Sequence, residues 1–267
     1  MSGGKKTKKY ISILIIIILA LLILFLFAGK AKAPESHKNG PVNIPSVNYT
    51  DTFKTFSGKE FEELYNSFAY PNTQQINENT PITGNIRADK RLRELALARG
   101  YMIRSAPVTD TFVTVQKDMV LQPKAAKGWN DLKTRAGKQD INMSLMAAYR
   151  SAEDEKSIFL DRLKGIPVEY IAAGKADSQV DTVLAHTALP GYSRHHTGYT
   201  VDIACDSQPG VKFENSVCFK WLSVNNYLNA KKSGWIPSYP PGAGKQGPEP
   251  EPWEYVWVGT NALRQTL

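Results

Sequence analysis

Residues 190–205 read PGYSRHHTGYTVDIAC and join a glycine-containing loop to a stretch of strand composition over residues 199–205. Two adjacent histidines, His195 and His196, lie in the loop, and Asp202 lies in the strand among apolar neighbours. A lone carboxylate is costly to bury unless a positive or hydrogen-bonding group meets it. A metal ion meets that need, because zinc takes imidazole nitrogen and carboxylate oxygen as ligands. On spacing alone, a capping aspartate beside ordinary loop histidines is the alternative.

The rest of the chain mixes helical and strand patterns without a repeating βαβ order. Apolar residues at helical spacing predict helices within residues 58–68, 87–102, 121–138, 154–165 and 219–234. Strand composition marks residues 141–149, 234–240 and 254–260, in addition to 199–205. Such a mixture predicts an α+β fold in which helices flank an antiparallel sheet.

The N-terminal residues differ from this pattern. A lysine-rich tail precedes ISILIIIILALLILFLFA, an apolar run just long enough to span a bilayer core of about 30 Å. The lysines place the tail in the cytoplasm and the rest of the chain outside. A signal peptide cleaved near Ala33 is the alternative. The chain is thus predicted to comprise a basic tail (1–10), a transmembrane helix (11–28), an extracytoplasmic linker (29–55) and a folded domain (56–267).

Positive charge is concentrated in the tail and linker. The whole chain carries +8, and residues 1–40 hold seven lysines and one glutamate, a net +6 that leaves only +2 for all later residues. The basic balance is therefore a property of the predicted anchor region. It gives no support for nucleic-acid binding, and we exclude that class of function.

The two cysteines, Cys205 and Cys218, lie 13 positions apart. Outside the membrane such a pair can stay oxidised. A disulfide that closes a loop of this length stabilises a fold by about 3 kcal/mol in the chain-entropy estimate. Two free buried thiols are the alternative.

Three motifs, in order along the chain, resemble those of the VanY-like D-alanyl-D-alanine carboxypeptidases, which are zinc peptidases of bacterial cell-wall peptides. SRHHTGYTVD (193–202) resembles the family's Ser-x-His-x-x-Gly-x-Ala-x-Asp signature, with Thr200 at the position of the small residue. Upstream, MAAYRSAED (146–154) is similar to the Gly-Tyr-Arg-Ser element. Downstream, EPWEYVWVG (251–259) resembles the Glu-Pro-Trp-His element. The resemblance implies a hedgehog/DD-peptidase-like fold.

The resemblance also implies a role for each matched residue. His195 and Asp202 would be zinc ligands, and Glu251 would be the general base that takes a proton from the attacking water. Arg150 would hold the substrate's terminal carboxylate or the developing oxyanion, because a guanidinium offers a fork that matches such groups. The remaining substrate contacts would come from Ser193 and Tyr149.

One position departs from the family pattern. The family's third zinc ligand is the histidine three residues after the base, and this chain has Glu254 there. Residues three apart on a regular strand point to opposite faces, but Pro252 argues against a regular strand, so Glu251 and Glu254 can converge. Three outcomes stay open: Glu254 is the third ligand, His196 or His186 replaces it, or the site is inactive and only binds peptides.

The expected function follows from the resemblance and the anchor. The chain is predicted to be a membrane-anchored, zinc-dependent carboxypeptidase of peptidoglycan stem peptides ending in D-Ala-D-Ala, at the outer face of the bacterial cytoplasmic membrane. The carboxylate-rich ligand set lowers discrimination against Mn²⁺ and Fe²⁺. A cell-wall endopeptidase or D,D-dipeptidase on the same fold, and a non-catalytic peptidoglycan-binding module, are the alternatives.

Overall fold

The computed structural model describes residues 53–265, which belong to one folded unit. The helices are α1 (Gly58–Ser67), α2 (Ile86–Ala98), α3 (Pro123–Gly137), α4 (Ala152–Arg162), α5 (Val168–Ala172), α6 (Asp177–Leu184) and α7 (Val217–Lys231). The strands are β1 (Thr73–Gln75), β2 (Ser105–Pro107), β3 (Val113–Gln116), β4 (Met119–Leu121), β5 (Met143–Ala147), β6 (Thr200–Cys205), β7 (Trp235–Pro237) and β8 (Glu254–Trp257). None of the helices in this part of the chain is long and apolar enough to cross a membrane. The predicted transmembrane helix at 11–28 lies outside the described residues.

A four-stranded antiparallel sheet, in the order β5-β6-β8-β7, organises the fold. Two smaller antiparallel pairs, β1-β2 and β3-β4, accompany it. The predicted α+β class with an antiparallel sheet is therefore confirmed. Within the sheet, Asp202 lies opposite Glu254, and a bulge on β5 brings Ala147 opposite Asp202 from the other side. This register places one residue from each of the three sequence motifs side by side.

Two apolar clusters hold the sheet and the helices in place. The first contains Val201 and Ile203 of β6 together with Trp129 of α3 and Trp221 of α7. The second joins α2, α4 and α6 around such residues as Phe159. Complete burial of a large apolar side chain contributes about 1.5–3 kcal/mol, so strand β6 is firmly fixed where Asp202 emerges from it.

Helix α7 is interrupted, although its sequence predicts a continuous helix. The backbone leaves the helical region at Val224, and the next three residues have positive φ angles. Asn226 is one of the residue types that tolerate this conformation. Its side chain accepts a hydrogen bond from the Phe56 amide at 2.9 Å and donates one to the Phe56 carbonyl at 2.7 Å. These bonds to a distant segment stabilise the break.

Cys205 at the end of β6 and Cys218 in the first turn of α7 form a disulfide. Replacing both residues by serine is expected to lower the free energy of unfolding by about 3 kcal/mol, because the unfolded chain regains the freedom of the open loop. Urea unfolding with and without a reductant measures this difference. The double serine variant is the control, since a reductant should not affect it. A wild-type midpoint unchanged by reductant would contradict the prediction.

Candidate metal centre

Three side chains of the types that bind metals meet at one end of the central sheet. Asp202 on β6 lies directly opposite Glu254 on β8, so both carboxylates lie on the same face of the sheet. His195 lies in a single 3₁₀ turn, Arg194–Thr197, just before β6. Gly198 ends this turn at φ 72°, a left-handed conformation that favours glycine. One ligand atom from each of the three side chains lies within 4.8 Å of the others.

The distances from His195 to the two carboxylates fit a tetrahedral cation. His195 Nε2 lies 3.4 Å from Asp202 Oδ2 and 3.6 Å from Glu254 Oε2. Ligand atoms at about 2.1 Å from a tetrahedral zinc ion lie about 3.4 Å from one another. In addition, Asp202 Oδ1 is buried without a hydrogen-bond partner in the described part of the chain. A bound cation would satisfy a buried carboxylate of this kind.

A hydrogen bond at Nδ1, the ring nitrogen that faces away from the carboxylates, fixes the orientation of the His195 ring. Its Nδ1 lies 2.7 Å from the carbonyl oxygen of Ala148 and donates its proton there, which leaves Nε2 facing the carboxylates. Burial opposes the charged form of the ring, but the Asp202 and Glu254 carboxylates raise the pKa of His195 to about 9. A cation that binds through Nε2 would therefore compete with a proton for this nitrogen.

A tight turn brings Glu251 and Glu254 to the same cavity. The Glu254 amide donates to the Glu251 carbonyl at 3.1 Å, and regular pairing of β8 starts only at Glu254. The expectation that Pro252 prevents a regular strand here is confirmed. Burial, followed by the charges of Glu254 and Asp202, raises the pKa of Glu251 to about 8. Its carboxyl group can therefore gain and lose a proton near neutral pH.

The structure places Glu254, rather than another histidine, beside His195 and Asp202. Both ring nitrogens of His196 have other partners: Nδ1 donates to the Arg150 carbonyl at 2.8 Å, and Nε2 accepts from the Gly191 amide at 3.0 Å. His196 therefore holds the backbone of Arg150 in place. His186 lies at the cavity wall, outside the three-residue group.

A cavity of about 450 Å³ opens over the three residues. Seven of the residues singled out in the sequence line it: Arg150, His186, Ser193, His195, Asp202, Glu251 and Glu254. Tyr149, the other predicted substrate contact, packs its ring 4.2 Å from that of Phe112 and does not line this cavity. The prediction for Tyr149 therefore lacks support from its position.

Two ion pairs that sequence reasoning missed support the site. Arg150 Nη1 donates to Oε2 of Glu155 at 2.8 Å, and Glu155 is 1% exposed. Arg194 Nη1 donates to Oε1 of Glu254 at 2.9 Å. The pairing of Glu155 with Arg150 could have been predicted from the sequence, since Glu155 follows Arg150 by five residues and lies in the first turn of α4. Arg194 had no such signal, because its partner lies 60 residues away.

An α+β domain with an antiparallel sheet and a His-Asp-Glu group in an open cavity is typical of metalloproteins, and this chain is a candidate member of that class. The chain belongs to the VanY family of D-alanyl-D-alanine carboxypeptidases, whose family model matches residues 118–260. This match covers the central sheet and all three sequence motifs, so the resemblance noted in the sequence is confirmed.

Individual relatives are similar over part of the chain. A D-alanyl-D-alanine carboxypeptidase of Enterococcus faecalis (strain ATCC 700802 / V583) is 28% identical over 133 residues, which cover 49% of this chain and 46% of that protein. The chain therefore matches about half the length of this curated relative. The vancomycin-resistance D,D-pentapeptidase VanY from a VanB-type cassette, solved with Zn(II), matches 60% of this chain and 82% of its own at 23% identity and a TM-score of 0.44. VanYB in complex with D-alanine-D-alanine matches 58% and 83% at 24% identity and a TM-score of 0.43.

Proposed function

We propose that this protein is a metal-dependent D-alanyl-D-alanine carboxypeptidase of peptidoglycan stem peptides that end in D-Ala-D-Ala. The observation that carries the proposal is the convergence of His195, Asp202 and Glu254 in a cavity that Glu251 and Arg150 also line. Membership of the VanY family supports the reaction and the class of substrate. The fold we propose is the hedgehog/DD-peptidase fold of that family.

Zinc is the proposed ion, held by His195 Nε2 and by one oxygen each of Asp202 and Glu254. When bound, the ion polarises the carbonyl of the scissile peptide and makes water a stronger acid. The oxygen-rich donor set also suits Mn²⁺ and Fe²⁺, which are the alternative ions.

The protein's own residues position the substrate and move the protons. Glu251, which lines the cavity beside the proposed ligands, takes a proton from the attacking water and passes it to the amine of the departing D-alanine. Arg150 binds the terminal carboxylate or the developing oxyanion through its guanidinium. Ser193, buried in the cavity wall, offers a hydroxyl to the substrate backbone.

The location proposed for the enzyme is the outer face of the bacterial cytoplasmic membrane. Residues 11–28 would anchor it as a single transmembrane helix, and residues 29–55 would tether the domain. A tether keeps the domain at high local concentration near the wall while it searches for stem peptides.

Metal content and product release together test the proposal. The full chain, purified in detergent and analysed for transition metals, should contain about one ion per protein, and it should release D-alanine from a Lys-D-Ala-D-Ala peptide. The same peptide with a C-terminal amide should be a poor substrate, because Arg150 would lack its carboxylate. Cleavage of the amide would favour an endopeptidase, and preference for free D-Ala-D-Ala would favour a dipeptidase. A protein with neither metal nor D-alanine release would be a peptidoglycan-binding module.

The Arg150–Glu155 pair gives a second measurable effect. Replacing Glu155 by glutamine keeps its shape but removes the charge that orients the guanidinium, and kcat/KM for Lys-D-Ala-D-Ala should fall about 10–100-fold. Most of the loss should appear as a higher KM if Arg150 binds the terminal carboxylate. Glu153→Gln, on the exposed side of the same helix, is the matched control and should change kcat/KM less than twofold. Equal values for the two variants would contradict the assigned role.

A further inference from the structure

We infer that Arg194 is a positioning residue of the metal centre. Its guanidinium binds one oxygen of Glu254, so that Glu254 becomes a one-oxygen ligand, and its positive charge offsets the negative charge of this second carboxylate ligand. The inference deepens the proposed function and rests on it. It also explains how this chain can use glutamate where its family resemblance leads one to expect histidine.

The two oxygens of Glu254 have different partners. Oε1 accepts a hydrogen bond from Arg194 Nη1 at 2.9 Å, whereas Oε2 lies 3.6 Å from His195 Nε2 and faces the candidate site. Both residues of the ion pair are only 4% exposed. A carboxylate fixed in this way has one oxygen left for a cation, and its orientation is set before the cation arrives.

Arg194 is itself held on several sides. Its Nη2 donates to Gln246 Oε1 at 2.8 Å, and Gln246 donates in turn to the Ser238 carbonyl at 3.1 Å. The guanidinium lies 4.1 Å from the centre of the Tyr239 ring and 4.8 Å from that of Tyr65. Such contacts confine a planar cation, so it cannot swing away from Glu254.

The charges of the site explain why this arrangement matters. A histidine and two carboxylates cancel the charge of a divalent ion, and the buried guanidinium restores one positive charge next to it. Two histidines and one aspartate would leave the same net charge without any arginine. Arg194 and Glu254 together therefore reproduce the electrostatics of a two-histidine site.

This equivalence predicts how substitutions at positions 254 and 194 combine in their effect on zinc affinity: the second should offset the loss caused by the first. With Glu254→His alone, Arg194 loses its carboxylate and faces an imidazole and a cation, which leaves a buried positive charge without its partner. The variant should bind zinc more weakly, although it acquires the family's ligand. Removing the guanidinium as well should restore binding.

Zinc affinities of four forms of the full chain, measured by competition with a chromogenic chelator, test the inference. Glu254→His should bind zinc at least about tenfold more weakly than the wild type, and Glu254→His/Arg194→Met should regain at least about tenfold. Glu254→His/Arg104→Met is the matched control. Arg104 also lies in the cavity wall and stacks 4.7 Å from the Tyr65 ring, but it donates to Asn66 and not to Glu254. Its removal should restore nothing.

Each outcome separates the inference from the proposed function. Failure of the wild type to bind any transition metal overturns the proposed function. Two results with a zinc-binding wild type would overturn the role of Arg194 and leave the proposed function intact. In the first, Glu254→His binds zinc as tightly as the wild type. In the second, both arginine substitutions restore binding equally. Thermal unfolding of the metal-free variants shows whether each one folds. If Glu254→His does not fold, the double variant with Arg194→Met decides, since the inference requires it to bind zinc within about tenfold of the wild type.

Discussion

Glu251→Gln is expected to lower kcat for release of D-alanine by about 10²–10⁴-fold, while the protein still takes up its metal. Glutamine occupies the same volume as Glu251 but cannot accept a proton. The ligand group of His195, Asp202 and Glu254 does not include residue 251, so metal affinity should stay within about tenfold of the wild type. Steady-state kinetics and elemental analysis of the same preparation measure both quantities.

The matched control for this experiment is Glu249→Gln. Glu249 lies two residues away in the same proline-rich segment, where its exposed carboxylate pairs with Arg99. Its loss should leave kcat within about twofold, because exposed ion pairs contribute little. Comparable losses of kcat in the two variants would show that the segment, and not the carboxyl group of Glu251, determines the rate.

Asp202→Asn is expected to reduce zinc affinity by more than about 100-fold and to abolish activity at micromolar zinc. Loss of a residue that merely supports a metal ligand already costs about 10–100-fold, and Asp202 is proposed as a ligand itself. The substitution keeps the shape of the side chain, so the sheet should stay intact. Zinc competition titration and D-alanine release measure the two effects.

Asp206→Asn provides the comparison for Asp202. Asp206 follows β6 directly, is exposed, and accepts a hydrogen bond from Ser144 at 2.7 Å, far along the strand from the candidate site. Its replacement should leave zinc affinity unchanged within about threefold. If Asp202→Asn keeps wild-type affinity, the group of His195, Asp202 and Glu254 is not the metal centre.

The sequence predicted those parts of the fold whose signals are local and strong. Strand β6 has apolar composition on a buried segment, and the longer helices have regular apolar spacing. The break in α7 escaped prediction because it depends on Asn226 meeting Phe56, which lies 170 positions earlier. The short helices α5 and α6 and the two small strand pairs escaped as well, since helices of five and eight residues and strands of three or four residues carry too few positions to show a period.

The candidate site was predictable to the extent that its residues belong to motifs. His195, Asp202, Glu251 and Glu254 were singled out in the sequence, and the structure brings them to one cavity. The partners that orient these groups were not predictable in the same way. Arg194 meets Glu254 only because β6 and β8 are neighbours in the sheet, and a pairing of strands this far apart leaves no local pattern.

The position of β8 in the sheet has a consequence for how the protein matures. This strand comes last of the four along the chain, yet it inserts between β6 and β7, and its first residue is Glu254. Docking of one short segment therefore joins β7 to the rest of the sheet and delivers the third candidate ligand in the same event. A cation bound to His195, Asp202 and Glu254 would therefore link metal binding to folding thermodynamically and would stabilise β8 in its place between β6 and β7.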